Sequence, residues 1–407
     1  MNTDRQPAVD EDTKPSGHPI RLVAFTPIWP NRHEALLGPY NVLQFAPLVG
    51  RCRIEVLSAV PYFPLASRTG QPPRAALLAS LPETDEFQGI STRYVRQLYL
   101  PKVGLGVAVP LALASLGPHL TRIRDADALL ATWAYPHGCA AVLAGRALGK
   151  PVIVKVHGSD VNVVAHRASA RTVMRRVLPR ADAMVVMSRA LGDELAELGV
   201  DRARIHLVQN GVNTDLFRPR DRSEARRTLG PDAQGRLVVY VGSLKREKGV
   251  LDLLEAFADV QRTLPDARLA LLGDGPARAE VEARSRSFAS PPLLLGGRPA
   301  TEVASWMAAA DVVTLPSWME GQPNVVLEAL ASGRPVVGSR VGGIPDALQD
   351  SETGILVEAR RPMELAAALV QALSRPWDPR RIVAAAPGSW QDSADRLYRV
   401  IRAAMLR

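Results

Sequence analysis

The chain has 407 residues, 47% hydrophobic and 22% charged, with a formal net charge of +9. That length exceeds one ordinary core and suits two domains, and the composition excludes a disordered or fibrous chain. The two cysteines, Cys52 and Cys139, lie far apart and outside any C-x-x-C pair, so they spell no zinc or redox motif.

Residues 1–19 are polar and mixed in charge. They have no apolar segment of the kind a signal peptide needs, so they read as a disordered arm on a cytoplasmic protein. Residues 20–212 then repeat a rhythm of short apolar run, turn and helical stretch. The runs are Ile20–Thr26, Ile54–Val60, Ala128–Trp133, Val152–His157, Ala183–Ser188 and Ile205–Gln209. They are rich in Val, Ile and Leu and barely alternate, as parallel strands covered on both faces do. Val103–Leu116 is apolar but broken by Gly104, Gly106 and Pro110. It is too short to span a bilayer of about 30 Å and reads as a buried or interfacial helix. Arg171, Arg175, Arg176 and Arg180 follow at helical spacing around Val173, Met174 and Val177. That basic face is either plainly solvated or a docking surface for anionic lipid.

Residues 213–230 are polar, charged and carry a proline, which predicts a linker with a short helix. The rhythm resumes over 231–388, with runs at Leu237–Val241, Leu269–Gly273, Leu293–Leu295, Val312–Pro316, Pro335–Ser339 and Ile355–Val357. A helix is predicted over Val250–Leu264. Repeated strand–helix–strand units imply an α/β chain with two open sheets. Residues 389–407 close the chain as a helix. Trp390, Ala394, Leu397, Val400, Ile401 and Met405 share one face of it, which must pack beyond the second sheet.

The stretch that carries chemistry is Pro316–Asp346, PSWMEGQPNVVLEALASGRPVVGSRVGGIPD. Glu320 and Glu328 stand eight residues apart in it. Pro323 suits the first turn of a helix that runs through Glu328 to about Ser332 and stops at Gly333. Backbone N–H groups of Gly321, Gln322 and Asn324 would point out of its N-terminus, where free donors and the helix dipole attract a phosphate. The carboxylate of Glu328, a turn deeper, can accept two hydrogen bonds from a vicinal diol such as a ribose.

Here the chain resembles the family 4 glycosyltransferases of the GT-B fold, as found in cell-surface polysaccharide assembly. The likeness runs through VGSLKREKG at Val241–Gly249, LGDGP at Leu272–Pro276, TWAYPHG at Thr132–Gly138 and HGSD at His157–Asp160, in that family's order. It implies two Rossmann-like domains with parallel sheets facing across a cleft, and a C-terminal helix crossing back to the first. The first domain, residues 20–212, would take the acceptor. The second, residues 231–388, would take a nucleotide sugar.

The resemblance also implies roles. Glu328 would bind the ribose and Glu320 would face the transferred sugar. The Gly321, Gln322 and Asn324 backbone would grip sugar and phosphate. Lys248 would neutralise the departing diphosphate, and His157 would reach across to the donor sugar. Gly242, Ser243, Gly273 and Gly275 would line the diphosphate. Many relatives carry Arg where Ser243 stands, so Lys245 or Arg246 becomes the candidate second cation. Gly38, where relatives often have paired glycines, lies on the acceptor side with His137 and Asp160. Such enzymes transfer with retention and without a metal; the acceptor would be a glycan or a polyprenyl-diphosphate-linked glycan at the inner face of the membrane.

Other signals point elsewhere. Asp125–Ala126–Asp127 spells the metal-binding D-x-D of another glycosyltransferase fold, but it precedes its strand, at the end where ligands do not bind. No cofactor or metal is therefore expected. His137 reads equally as a structural histidine. No basic surface interleaved with aromatics supports nucleic acid. Two further readings stay open: a nucleotide-sugar epimerase on the same fold, and a non-catalytic protein that kept it.

Overall fold

The computed structural model describes residues 18–35, 37–62, 73–98 and 105–407. Residues 1–17 of the expected arm, and Val103 and Gly104 of the apolar segment, lie outside them. The first sheet holds β1 (Ile20–Thr26), β2 (Cys52–Tyr62), β3 (Thr84–Phe87), β4 (Ile90–Leu98), β5 (Ala128–Thr132), β6 (Val152–Lys155), β7 (Ala183–Val186) and β8 (Ile205–Leu207). Their order is β3-β4-β2-β1-β5-β6-β7-β8, and only the β3–β4 pair is antiparallel. The second sheet holds β9 (Arg236–Val241), β10 (Ala267–Leu272), β11 (Leu293–Gly296), β12 (Val312–Leu315), β13 (Val336–Ser339) and β14 (Gly354–Val357). It is wholly parallel, in the order β11-β10-β9-β12-β13-β14.

Strand order reverses beside β1 in one sheet and beside β9 in the other. Open α/β sheets bind ligands at the carboxyl ends of the strands around such a point. The two sets of strand ends face each other across the cleft.

The β3–β4 hairpin is absent from the apolar-run reading. Its residues, TDEF and ISTRYVRQL, are polar or alternating: β3 is the sheet edge, and β4 beside it alternates buried and more exposed positions over much of its length. The turn between them has Gln88 and Gly89 at φ 49° and 76°, as a tight hairpin requires.

Residues 213–230 do not hang between the domains. Phe217 is buried in the second core, and Ala225 and Leu229 pack against it. The helix Arg222–Leu229 is anchored there by Arg222 and Arg226, both paired with Asp311. Its charge hid a structural role, because these arginines meet a carboxylate at the head of β12.

The helix Trp390–Met405 crosses back to the first domain. Ala394, Leu397, Val400, Ile401 and Ala404 join a core built by Ile20, Leu22, Ala24, Phe45 and Leu48. A reciprocal capping box between Ser389 and Asp392 starts it. The outgoing and returning strands of chain touch where they cross, with the Val212 N–H donating to Gly388 O at 3.0 Å.

Ile401 is wholly buried in the first domain's core. Ile401→Ala should destabilise that domain by about 2–5 kcal/mol. Urea denaturation checks this, and a loss below about 1 kcal/mol would mean the helix is not integral to that core.

Candidate active site

The helix after β12 spans Asn324–Ala331, with Pro323 at the cap position, one residue earlier than expected, and Gly333 at φ 68° beyond its end. Ahead of it, the loop 316–322 brings Glu320 against Lys248 from the turn after β9. Lys248 Nζ donates to Glu320 Oε1 at 2.6 Å, and the Ser317 hydroxyl donates to the same oxygen at 2.7 Å. Glu320 is buried and Lys248 half-buried. A desolvated, hydrogen-bonded pair like this is a strong local dipole, poised to exchange partners with an incoming anion or hydroxyl.

The Glu328 carboxyl makes no hydrogen bond or ion pair within the described residues. Burial raises its carboxyl from the usual carboxylate range to about 7. A carboxyl group left without a partner is free to accept from a ligand's hydroxyls.

The first domain reaches the same point. Gly158, at φ 109°, approaches Gly321 so closely that an added Cβ would stand 3.0 Å from its Cα. His157, stacked on Trp133, has its Nε2 buried without a partner. Burial holds its pKa well below the ordinary histidine value, and the nearby Lys155 charge adds to this, so the imidazole is neutral. Trp133 itself has φ 99°, a left-handed value that costs roughly 1–3 kcal/mol in a bulky residue.

Asp160 is wholly buried. It accepts the N–H groups of Ala134, His157 and Gly158 at 2.7, 3.0 and 2.9 Å. Expected on the acceptor side, it pins the His157 loop to the end of β5. His137 is a core residue: its ring meets Phe25 edge-on, Nε2 lies 2.9 Å from Gln97 Oε1, and burial lowers its pKa to about 3. Gly38 starts the helix Pro39–Phe45 and packs on the Ile28 carbonyl.

Gly242 and Gly273 lie against each other at the ends of β9 and β10, and Gly275 lies against Leu244. Ser243 Oγ donates to Asp274 O at 3.2 Å. Arg246 is held by Glu280 at 2.6 Å, whereas Lys245 is exposed and makes no ion pair among the described residues. Of the two candidate cations, only Lys245 is unpaired.

Two residues that sequence reasoning passed over tie the domains together, and a third shapes a loop. The Asn210 N–H donates to Gln322 Oε1 at 2.6 Å, and its Nδ2 to Asn324 Oδ1 at 2.9 Å. Asp346 accepts the Arg189 N–H at 2.6 Å, at the start of the helix Arg189–Glu197. Ser317 positions Glu320. Their roles depend on partners more than a hundred residues distant, or on a loop conformation, and no local pattern marks them.

A cavity of about 870 Å³ in the second domain lies elsewhere, at the amino ends of β9, β12 and β13. Its arginines are held internally: Arg236 by Asp266, Arg222 and Arg226 by Asp311, and Arg334 by the carbonyls of Ala308 and Arg220. Asp127 of the D-x-D triplet likewise pairs with Arg21, away from the cleft. Among the described residues, no group of three or more His, Cys, Asp or Glu could hold a metal ion.

Two facing Rossmann-like domains, closed by a returning C-terminal helix, define a GT-B protein. The family described as Glycosyltransferase Family 4 matches residues 75–216, and Glycosyl transferases group 1 matches residues 235–375. N-acetyl-alpha-D-glucosaminyl L-malate synthase of Bacillus anthracis is 30% identical over 267 residues, 65% of this chain and 69% of that protein. A Bacillus subtilis glycosyltransferase named for teichuronic acid biosynthesis, TuaC, is 30% identical over 282 residues, 68% of this chain and 66% of its own length, just under two thirds. The crystal structure of Anabaena HepE in complex with UDP shares the fold, with a TM-score of 0.66 and 18% identity over 95% of this chain and 98% of that one. The chain belongs to the family 4 glycosyltransferases.

Glu328 carries a pH signature. Its folded pKa of about 7 exceeds the unfolded value near 4.5. The unfolded state therefore releases this proton first, and stability falls as pH rises from about 4.5 to about 7. The loss from this one group is at most about 3 kcal/mol. Glu328→Gln should remove that component, so the wild-type-minus-variant stability difference should fall across this window. A difference that stays flat in urea titrations at pH 5, 6 and 7.5 would contradict the raised pKa.

Proposed function

We propose that the protein moves a sugar from a nucleotide-sugar donor to a glycan or lipid-linked glycan, with retention of configuration and without a metal, in surface polysaccharide assembly. The observation that carries this reading is the close approach of the His157–Gly158 loop to the loop that holds the Lys248–Glu320 pair, with a partnerless Glu328 carboxyl on the helix that follows and an orphaned Nε2 on His157. A diol-binding carboxyl, a cation and a neutral imidazole suit a ribose, a diphosphate and a sugar hydroxyl respectively.

In this reading Glu328 accepts from the ribose hydroxyls. The diphosphate lies over the Gly242–Ser243 and Gly273–Gly275 turns. Lys248 turns from Glu320 toward it, and Lys245 adds the second cation. Glu320 and His157 hold the sugar. The bond from the anomeric carbon to the phosphate oxygen breaks, and negative charge grows on the diphosphate. Preorganised cations and N–H groups stabilise that charge where it develops. The acceptor oxygen bonds to the same face of the anomeric carbon, and its proton passes to the departing phosphate oxygen.

The relatives' names, one for an N-acetylglucosaminyl L-malate product and one for teichuronic acid, support glycosyl transfer, and the second supports a glycan as its product. No helix among the described residues is long and apolar enough to cross a membrane. Arg175, Arg176 and Arg180 are exposed on and just after the helix Ala168–Val177. They offer a basic face to an anionic membrane, which would place the protein peripherally at the inner surface.

The test is nucleotide diphosphate release from a panel of UDP-, GDP- and ADP-sugars in EDTA, with a lipid-linked glycan extract as acceptor. One donor should turn over, dependent on acceptor. Lys248→Ala and Glu320→Ala should each reduce kcat by about 10²–10³-fold. Folded protein that binds no nucleotide and releases none would favour the non-catalytic reading. Epimerised donor without transfer would favour the epimerase.

A further inference from the structure

A chain of wholly buried polar side chains runs through the first domain beneath the cleft. The Thr26 and Thr132 hydroxyls are hydrogen-bonded to each other. Asn41 Nδ2 donates to Thr132 Oγ1 at 3.4 Å and to Ile28 O at 3.1 Å, the same carbonyl on which Gly38 rests. Lys155 Nζ donates to Asn41 Oδ1 at 3.3 Å and to Gln44 Oε1 at 2.5 Å. Gln44 Nε2 donates to Ser393 Oγ at 2.8 Å, and that hydroxyl donates to Gln209 O at 2.6 Å. The next residue, Asn210, holds Gln322 and Asn324 of the other domain.

Lys155 is the charged member of this chain. It is fully buried, and no carboxylate pairs with it among the described residues. Burial lowers its amine to about 7. The helix Pro39–Phe45 faces it with two neutral amides, and the titratable group beside it is His157, on its own segment. An amine so placed is unfavourable unless its protons are bonded, and an apolar residue would fill the site at less desolvation cost. What it does that an apolar residue cannot is join two amides that otherwise do not touch within the recorded bonds.

We propose that Lys155 is a positioning residue that couples the acceptor-side turn at Gly38 to the interdomain crossing at Gln209–Asn210, and through it to the donor-side loop 320–324. The naming of the two sides rests on the proposed function; the hydrogen-bonded chain does not. Half-satisfied buried networks are destabilising, so loss of one member propagates to its neighbours.

Hydrogen–deuterium exchange of the full-length protein, read by mass spectrometry, tests this in a mutant cycle. Lys155→Met should raise exchange over residues 39–45 and also over 209–212, each by roughly fivefold or more. Ser393→Ala should raise exchange over 209–212. The double variant should exceed neither single variant there, as expected when both break one chain. A merely structural lysine would loosen β6 and its neighbours and leave 209–212 unmoved; that result, or additive effects, would overturn the proposal. Should Lys155→Met not fold, Gln44→Met breaks the same chain and takes its place in the cycle.

A second arm adds UDP, GDP or ADP. Protection should appear over 320–328 in both proteins and extend to 39–45 in the wild type alone. Equal protection of 39–45 in both would overturn the coupling. If no nucleotide protects 320–328, the donor-site reading fails, and the mutant cycle still decides the role of Lys155.

Discussion

The two domains meet backbone to backbone, and the rest of the site depends on that. Gly158 and Gly321 approach so closely that a Cβ on Gly321 would stand 2.7 Å from the His157 carbonyl. Behind them, Gly342, at φ 54°, lies so near the Glu320 carbonyl that a Cβ would stand 2.0 Å away. The Gly343 N–H then donates to Gly321 O at 2.8 Å. A side chain at any of these places would hold the loops apart, and His157 would no longer share a locus with Glu320. The glycines therefore set the width of the cleft, and the width decides which polar groups lose their water.

Desolvation then sets the chemistry. Glu328 is pushed up to about 7 and His157 well down, in each case chiefly by burial. Both shifts favour the neutral form and leave the group short of a partner. Lys248 and Glu320, by contrast, are paired with each other. The site is thus a set of strong donors and acceptors whose best partners are either each other or a ligand. The cationic groups at the site are Lys248 and Lys245, beside the backbone N–H groups of loop 320–324; many surface arginines, such as Arg202, Arg262 and Arg340, are neutralised in ion pairs and add nothing to the overall charge of +9.

What was legible in the sequence follows from how local each signal is. The twelve apolar runs correspond to twelve of the strands, because a parallel strand buried on both faces has no choice but Val, Ile and Leu. The edge hairpin β3–β4 escaped, since Thr84–Phe87 needs no apolar residue. Glu320, Glu328 and the turn between them were readable as a motif because strand end, loop and helix start are contiguous. Asp160 was noticed within HGSD, which marks a loop, but only the fold shows that its carboxylate grips Ala134, 26 residues away. Asn210 and Asp346 carried no signal, because their meaning lies wholly in contacts with the opposite domain.

The same distinction separates the two buried basic groups near β6. His157 follows the strand and stacks on Trp133, and its Nε2 is buried without a partner. Lys155 lies two residues earlier, on the side of β6 that faces the helix Pro39–Phe45, and its protons are taken by Asn41 and Gln44. Its charge also disfavours protonation of His157. One short segment, Lys155–Asp160, thereby carries a proton-poor imidazole, an internal tie behind it and a carboxylate that fixes the loop between. The outgoing and returning segments of the chain cross between the domains beside Val212 and Gly388. The polar chain from Lys155 to Gln209 ends at that crossing, and Asn210 continues it into the loop that carries Glu320.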